Sequence, residues 1–521
     1  MWDVGYRLSV IWRCLAAALG GALLAGAFEP LGWALLLPGG MAVLFLSTYG
    51  LPPRRAWVVS LVFGVTFLYL VMYWMRGSVG TDAWLAMCGV LSLSFIPLGW
   101  GLAHSYRTRW WPVLAAVWWV GLESLRGVFP FSGMPFGRLA FATADTVWEA
   151  ALPWVGMTGV SLLVALSGAT VSWALLNVRA QPAAVGWGLA GLGALTALPH
   201  AVAWDGTPRG TVEVALVQGN VPGEGTDVVG NHREITANHV RLSEQLAREV
   251  DEGARPRPDF VVWPENATAV DPFRDPTTAE GIRSASTALG APLLVGAMVD
   301  GPDERTVLNQ GIVWTPGRGA GERYTKQHPV PYGEYIPFRD TLIPSDYGKL
   351  RTISRDMAAG DRETPLRIAG TLVADAICFD VAYDDSIAAQ VRNGAELITV
   401  QTSNAMFIKT AQVDQQFEIS RLRAVEARRG VVVAALNGIS GIIGPDGEVL
   451  TTAARGSEAI LQSQVPLAAT VTPATAVGQW PARIAATALV GHVVLIAVFY
   501  RGRVRRVRRV TMSKAEETVH R

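Results

Sequence analysis

Apolar runs of about 20 residues, each long enough to cross the hydrocarbon core of a bilayer as a helix, dominate the first two hundred positions of this chain and return near its end. Candidate spans lie near 9–28, 31–49, 57–75, 84–104, 110–129, 157–177, 184–204 and 483–500. The 521 residues are 50% hydrophobic and 17% charged. That balance matters only because the apolar share is so unevenly placed. The first run is too long, and too closely followed by a second, to be a cleaved signal peptide.

Arginine placement sets the expected orientation, because short cytoplasmic loops are enriched in Lys and Arg. Starting inside, the cytoplasmic connections hold Arg54 and Arg55, then Arg107 and Arg109, then Arg179, and finally a tail with Arg501, Arg503, Arg505, Arg506, Arg508 and Arg509. Arg76, Arg126 and Arg138 fall on the other side and break the strict pattern. The tail outweighs them and is the kind of segment that meets anionic lipid heads. Both termini are therefore expected in the cytoplasm and residues 205–482 outside, in a multi-pass protein of the cytoplasmic (inner) membrane. The net charge of +1 carries no such information.

The segment 211–467 has a different character. Strand-like runs at 212–218, 259–263, 292–299, 310–314, 371–377, 396–401 and 431–436 alternate with amphipathic stretches at 231–249, 278–289, 384–393 and 414–429. Gly290, Gly394 and Gly430 read as helix stops. Three units follow: 1–205, a bundle of seven transmembrane helices; 206–470, an extracytoplasmic α/β catalytic domain; and 471–521, an eighth helix with the basic tail.

Three side chains in the α/β segment supply a base, a cation and a thiol. Glu265 in Val-Val-Trp-Pro-Glu, Lys326 in Tyr-Thr-Lys-Gln-His-Pro and Cys378 in Ala-Ile-Cys-Phe-Asp each sit just after a β-branched or apolar run. The carboxylate can take the thiol proton, the ammonium can stabilise thiolate and oxyanion, and the thiolate can accept an acyl group. Of three cysteines, Cys14 and Cys88 lie in predicted spans, so Cys378 has no partner for a disulfide within its domain. A lone cysteine is otherwise a small buried hydrophobe. Here it precedes Asp384 and Asp385, which read as a helix start, so it occupies a strand-to-helix turn that exposes a nucleophile.

In the order Glu, Lys, Cys, with separations of 61 and 52 residues, these positions resemble the nitrilase superfamily across 211–467. The resemblance implies an α-β-β-α sandwich and attack through a thioester. Glu334, in Pro331-Tyr332-Gly333-Glu334, matches the superfamily's additional glutamate, expected to orient Lys326 or the incoming nucleophile. Insertion of such a domain between membrane spans is similar to the apolipoprotein N-acyltransferase family. Further pieces agree: Ala27-Phe28-Glu29-Pro30, Glu123-Ser124-Leu125-Arg126-Gly127, Leu216-Val217-Gln218-Gly219-Asn220, Thr402-Ser403-Asn404-Ala405 and Asn437-Gly438-Ile439-Ser440-Gly441. Phe379 and Asp380 stand where many members have tyrosine and glutamate, and 221–230 lacks the tryptophan some members carry.

What this resemblance implies is lipoprotein biosynthesis by ping-pong acyl transfer. An acyl chain leaves a membrane phospholipid, rests on Cys378 as a thioester, and passes to the N-terminal amine of a diacylglyceryl-cysteine lipoprotein. Glu265 is the base, Lys326 holds the oxyanion, and Glu334, Phe379 and Asp380 support them. No cofactor is called for, and neither His104 nor His200 has metal-ligand spacing. His328 reads as structural. Glu123 and Arg126, three apart, either pair on one helix face or meet a phospholipid headgroup. Phe273, Tyr347, Met406 and Phe407 sit in predicted loops where apolar tips either admit acyl chains or pack ordinarily. Some relatives act beside a polyprenol-phosphate mannosyltransferase, a partner this sequence neither names nor excludes. The rival readings are a membrane-tethered amidase of the same superfamily, for which eight spans are more than an anchor needs, and a catalytically silent transport or binding protein, which an intact triad argues against.

Overall fold

A computed structural model describes residues 2–496 and 498, apart from 203, 205, 340–349 and 352. Tyr347 and the arginine-rich tail lie outside the described residues. Helices form where the apolar runs predict them, because a backbone in hydrocarbon must satisfy its hydrogen bonds internally. Helix α1 (Trp2–Gly26) packs on α2 (Leu36–Thr48) and α3 (Pro53–Val71), and a short α4 (Trp74–Ser78) follows. The fourth predicted span is two pieces, α5 (Thr81–Ser92) and α6 (Phe95–Ser105). Gly99 lets α6 lie against α3, since a Cβ there would collide with the Ala56 carbonyl. Then come α7 (Trp111–Arg126), α8 (Leu152–Asn177) and α9 (Pro182–Ala201).

Among the described residues, five stretches are long and apolar enough to cross a membrane: Ser9–Gly26, Pro53–Val71, Thr81–Ser105, Glu149–Asn177 and Pro182–Ala201. The other predicted spans are shorter helices, Leu36–Thr48, Trp111–Arg126 and Trp480–Ile496. On α9 only Val185 is buried, while Trp187, Leu189, Leu195 and Leu198 face outward. An apolar helix left this open belongs in lipid, where the same residues need no protein cover.

The α/β part is two face-to-face sheets. The first contains β1 (Pro208–Gln218), β2 (Phe260–Val262), β3 (Leu293–Asp300), β4 (Thr306–Thr315), β5 (Gly319–Thr325) and β6 (Asp356–Met357). The second contains β7 (Leu366–Ile368), β8 (Thr371–Ile377), β9 (Leu397–Thr402), β10 (Val431–Ala435), β11 (Gly441–Ile443) and β12 (Val449–Thr452). Strand β13 (Ala459–Ala468) closes the first sheet, whose order is β13-β1-β2-β3-β4-β5 with β6 on β4; the second runs β12-β11-β10-β9-β8-β7. Period-two alternation on β1 sends Val212, Val214 and Leu216 between the sheets and Ala215 and Val217 toward α10 (His232–Asp251) and α11 (Pro276–Leu289). On the far side α12 (Ser386–Arg392) and α13 (Gln412–Ala427) cover the second sheet.

The predicted α-β-β-α order is therefore present, with one difference in α13. That helix does not behave as an amphipathic surface helix: Gln415, Gln416, Arg423 and Glu426 are buried along with its apolar residues. The reason is that it is packed on both sides. One hydrophobic cluster runs from Val400 on β9 through Ile419 and Leu422 to Phe67 and Val71 of the bundle. Gln415 makes the junction polar as well, donating to the Glu29 and Val71 carbonyls at 2.9 and 3.1 Å and accepting from Trp74 Nε1 at 3.2 Å. After α14 (Pro473–Val477), α15 (Trp480–Ile496) returns to the bundle and packs through Leu489 against Gly121 of α7.

Strands β5, β6, β7, β11, β12 and β13 are not among the predicted runs. β5 is Gly-Ala-Gly-Glu-Arg-Tyr-Thr, β13 is broken by Gln462, Ser463 and Pro466, and the others are four residues or fewer. Gly290 caps α11 in the left-handed conformation as expected. Gly430 does not cap α13, because Arg428 takes the left-handed position at φ 51°.

Between the sheets Asp375 accepts from Thr399 Oγ1 at 2.7 Å through Oδ1, while its Oδ2 and the nearby Gln401 Oε1 find no donor among the described residues. Burial pushes this carboxyl up to about 7, with the Asp380 charge adding to the effect. The unfolded chain gives up the carboxyl proton near pH 4, roughly the ordinary aspartate value. The stability this group contributes is thus intact at low pH and falls away as pH rises through about 7. Asp375→Asn, which carries a permanent donor, should raise the thermal midpoint in detergent more at about pH 8 than at about pH 5. An equal change at the two pH values would show that Asp375 is not the titrating group.

Candidate active site

Glu265 follows β2, where Gly296 on the neighbouring strand admits the turn: a Cβ there would strike the Pro264 carbonyl and lie 2.7 Å from Glu265 Cα. The side chain is 3% exposed. Its Oε1 accepts from Asn309 Nδ2 at 2.6 Å and Lys326 Nζ at 3.3 Å, and its Oε2 from the Ser403 backbone N–H at 2.8 Å. Lys326 continues β5, its own N–H donating to the Asn309 carbonyl. Its fully buried ammonium also lies 2.6 Å from Glu334 Oε1. Glu334 is held in turn by the Val330 N–H on Oε2 at 2.8 Å. Burial alone would push the ammonium down, but Glu265 and Glu334 outweigh it and hold Lys326 above its ordinary value. Burial and the Glu265 charge raise Glu334 despite Lys326.

Cys378 terminates β8 and opens the single turn Cys378–Ala382. Its φ of 52° is left-handed, a conformation costing a non-glycine residue about 1–3 kcal/mol. Parallel pairing of β8 with β9 puts Ile377 opposite Gln401, so the thiol emerges beside Thr402 and Ser403, the residue that holds Glu265. Part of the cysteine remains open. Burial pushes its thiol up to about 12, with Glu265 and Glu334 adding to the rise and Lys326 and the Thr402 hydroxyl opposing it. The resting group is a thiol, and it needs a base to become a nucleophile.

Asp380 stitches this turn to the lysine segment. Its Oδ2 accepts from the Ile377 N–H at 3.1 Å, the Tyr324 hydroxyl at 2.9 Å and the Gln327 N–H at 3.4 Å, and its Oδ1 from the His328 N–H at 2.8 Å. His328 lies 2.8 Å from Asp385 Oδ1 through Nε2 and stacks on Tyr383 with ring centroids 3.7 Å apart. Burial would lower its pKa, but the Asp385 partner raises it. These contacts make His328 a brace, in keeping with its structural reading.

The remaining expected residues separate. Phe379 is buried and stacks on Phe136 from the segment after α7, centroids 6.0 Å apart. Phe407 sits edge-on to Trp74 at 5.6 Å, whereas Met406 beside it is exposed. Phe273 stacks on Trp314 and under Arg323, partners that belong to the edge of the first sheet and not to the triad. Of the two alternatives for Glu123 and Arg126, the structure does not show the pair within one helix face. Arg126 donates to the Phe136 and Gly137 carbonyls at 3.0 and 3.1 Å, while Glu123 accepts from Trp119 Nε1 and the Leu139 N–H and faces Arg138 at 4.0 Å. The chain bends back after α7, so partners distant in sequence take the places of those three residues away. Asn309 and the Ser403 N–H, which fix Glu265, were not singled out by the sequence: one is a mid-strand amide and the other a backbone group.

Residues 20–170 match the apolipoprotein N-acyltransferase N-terminal domain, and residues 213–472 match the carbon-nitrogen hydrolase family. The chain is 34% identical to the apolipoprotein N-acyltransferase of Mycolicibacterium smegmatis, over 95% of this chain and 87% of that one. It is 24% identical to the enzyme of the same name from Photobacterium profundum, over 90% and 92%. Saccharomyces cerevisiae Nit3, a member of branch 10 of the nitrilase superfamily, is similar with a TM-score of 0.37 and 16% identity, covering 50% of this chain and 91% of that one. The class is thus a carbon-nitrogen hydrolase domain carried on a bundle of apolar helices in a membrane protein. Within that class the chain belongs to the apolipoprotein N-acyltransferase family.

A thiol held near 12 gives a measurable signature. Alkylation of Cys378 by iodoacetamide, followed on its own peptide by mass spectrometry, should keep rising between about pH 7 and pH 10, where an ordinary thiol near 8.5 levels off. A plateau below about pH 9 would place the thiolate in the resting site.

Proposed function

We propose that this chain is the acyltransferase that N-acylates lipoproteins, taking the acyl group from a membrane phospholipid and carrying it on Cys378. What supports the reading is the family match along 95% of the chain, together with a lysine held between two carboxylates beside a cysteine on a strained turn. Glu265 takes the Cys378 proton as the sulfur attacks the phospholipid ester carbonyl. Lys326 stabilises the tetrahedral oxyanion. Collapse breaks the carbon–oxygen bond, and the departing alkoxide recovers the proton from Glu265, leaving lysophospholipid and a thioester. The lipoprotein amine then attacks the thioester, gives its proton to Glu265 and expels the sulfur, which is reprotonated. Each half-reaction returns the base to its starting state, which is ping-pong chemistry. Glu334 holds the ammonium in line throughout.

Substrate access fits the same reading. We infer, from the basic connections and tail, an orientation with both termini in the cytoplasm and the sheet domain at the outer face of the cytoplasmic membrane. Both lipid substrates then reach the site without leaving the bilayer. Met406, exposed beside the strand end that carries Ser403, is the candidate among the loop residues for acyl-chain contact.

Two experiments test this. With a labelled phospholipid and protein in detergent, Cys378→Ala should form no acyl-enzyme, and Glu265→Gln and Lys326→Met should each lose on the order of 10²–10⁴-fold in its rate of formation. Glu334→Gln should be milder at that step. Normal lipoprotein acylation by folded Cys378→Ala would sink the mechanism, and release of free fatty acid with no transfer to a diacylated peptide would make the chain a hydrolase. For topology, a membrane-impermeant thiol reagent should label Glu224→Cys in intact cells and Thr108→Cys only after the membrane is breached. The reverse pattern would invert the orientation.

A further inference from the structure

Five charged side chains of alternating sign cross the boundary between the bundle and the sheet domain: Glu123, Arg138, Asp384, Arg423 and Glu426. None of these side chains is more than 13% exposed. Arg138 lies 4.0 Å from Glu123 Oε1 through Nε, 2.8 Å from Asp384 Oδ1 through Nη1, and donates Nη2 to Thr158 Oγ1 at 3.1 Å. Asp384 Oδ1 also takes Arg423 Nη2 at 2.9 Å, and Arg423 Nη1 lies 2.5 Å from Glu426 Oε2. The far end is anchored in the bundle too. Gly156, at φ 65° and ψ −176°, interrupts α8, and the helix that restarts presents the Met157 N–H to Glu426 Oε1 at 3.0 Å. A carboxylate at a helix start is stabilised there by the free amides and the dipole.

What this chain holds is the nucleophile turn. Arg423 donates Nε to the Val381 carbonyl at 2.9 Å and Nη2 to the Tyr383 carbonyl at 2.8 Å, the two carbonyls at the end of the turn that Cys378 opens. Buried ion pairs are weak devices for stability, since well-packed apolar side chains serve as well. They do fix geometry, because each guanidinium fork accepts few arrangements of its partners. Among the five, Arg138 is the link that touches both the bundle side, at Glu123 and Thr158, and Asp384, two residues beyond the end of the nucleophile turn.

We propose that Arg138 is a positioning residue for acyl transfer: it fixes Asp384, and through it Arg423, so that the membrane bundle sets the placement of the Cys378–Ala382 turn. The inference rests on the thioester reading of Cys378, and acyl-enzyme formation by the wild-type protein in the same assay separates a failure of that reading from a failure of this one. The experiment is the kinetics of thioester formation from a labelled phospholipid by full-length protein in detergent, with the thermal midpoint measured alongside. Arg138→Met should keep KM for phospholipid within about two-fold while kcat falls roughly 10²-fold, the scale of a small misplacement of reacting groups. Arg138→Lys, which keeps a charge opposite Asp384 and loses the fork, should fall between that variant and wild type. A folded Arg138→Met with wild-type kcat, or a loss confined to KM, overturns the proposal. If Arg138→Met does not fold, Arg138→Lys decides by the same two measures, and failure of both to fold makes the chain a folding element and overturns the positioning role.

Discussion

Lys326 carries a charge into a place without solvent, and the arrangement of the site follows from what that charge requires. Leaving an ammonium unpaired in a protein interior costs several kcal/mol. Glu265 at 3.3 Å and Glu334 at 2.6 Å supply the compensation, and each is itself fixed by backbone or amide donors. Two carboxylates against one ammonium leave an excess of negative charge beside Cys378. That excess, added to burial, is why the thiol stays protonated at rest. Under the proposed reaction the site is suited to an oxyanion and not to a standing thiolate, because the charge of a tetrahedral intermediate would fall where the lysine is already fixed.

The same economy of buried charge explains the bundle. A helix packed on two sides, as α13 is, cannot leave its polar residues in water, so Gln415 and Glu426 find partners in the membrane part, and Arg423 finds them in Asp384, Glu426 and the carbonyls beside the Cys378 turn. Arg126 and Arg138, which break the strict arginine pattern of the loops, are consumed in this junction: one binds the carbonyls of Phe136 and Gly137, the other bridges Glu123 and Asp384. A charge engaged in this way is a packing element more than a topology signal, because its partners are protein groups and not lipid heads. The bundle and the sheet domain thus share a core and a hydrogen-bond network, which a detachable anchor would not need.

Much of the fold was legible because the two hydrophobic periods are so distinct. Long apolar runs marked the helices, and β-branched runs such as Val-Val-Val-Ala-Ala at 431–435 marked the buried strands. The strands that escaped, β5 and β13 above all, are half-exposed and rich in Gly, Gln or charge, so they owe their form to a neighbour's ladder and not to their own pattern. At the site, Glu265 and Cys378 stood out because each follows a buried strand, whereas Lys326 follows the half-exposed β5 and was marked by its place in the Glu, Lys, Cys order; all three lie at strand ends. Partners of Glu265 such as Ser403 N–H were invisible, since a backbone group has no signature in sequence. Local spacing could not decide at Glu123 and Arg126, where three residues of separation on a helix allowed a pair but the hydrogen bonds run to partners 10 and 16 residues away.

The turn at Cys378 shows how these constraints combine. A left-handed cysteine is strained, and such a residue persists only where its surroundings over-determine it. Here the turn is held at both ends by opposite charges. Asp380 collects the Ile377 N–H at its start along with donors from the lysine segment, and Arg423 collects the Val381 and Tyr383 carbonyls at its end. An anion on amides and a cation on carbonyls is the pairing that the backbone dipole of a helical turn favours. Because Asp380 also binds the N–H groups of Gln327 and His328, the thiol and the ammonium are fixed relative to each other by one carboxylate. Because Arg423 answers to Asp384, Arg138 and Glu426, the turn is fixed relative to the membrane bundle as well. The spacing of Cys378 and Lys326 is thereby set within the sheet domain, and the placement of the turn against the helices by Arg423 and its partners, through two independent sets of contacts on the stretch from Ile377 to Tyr383.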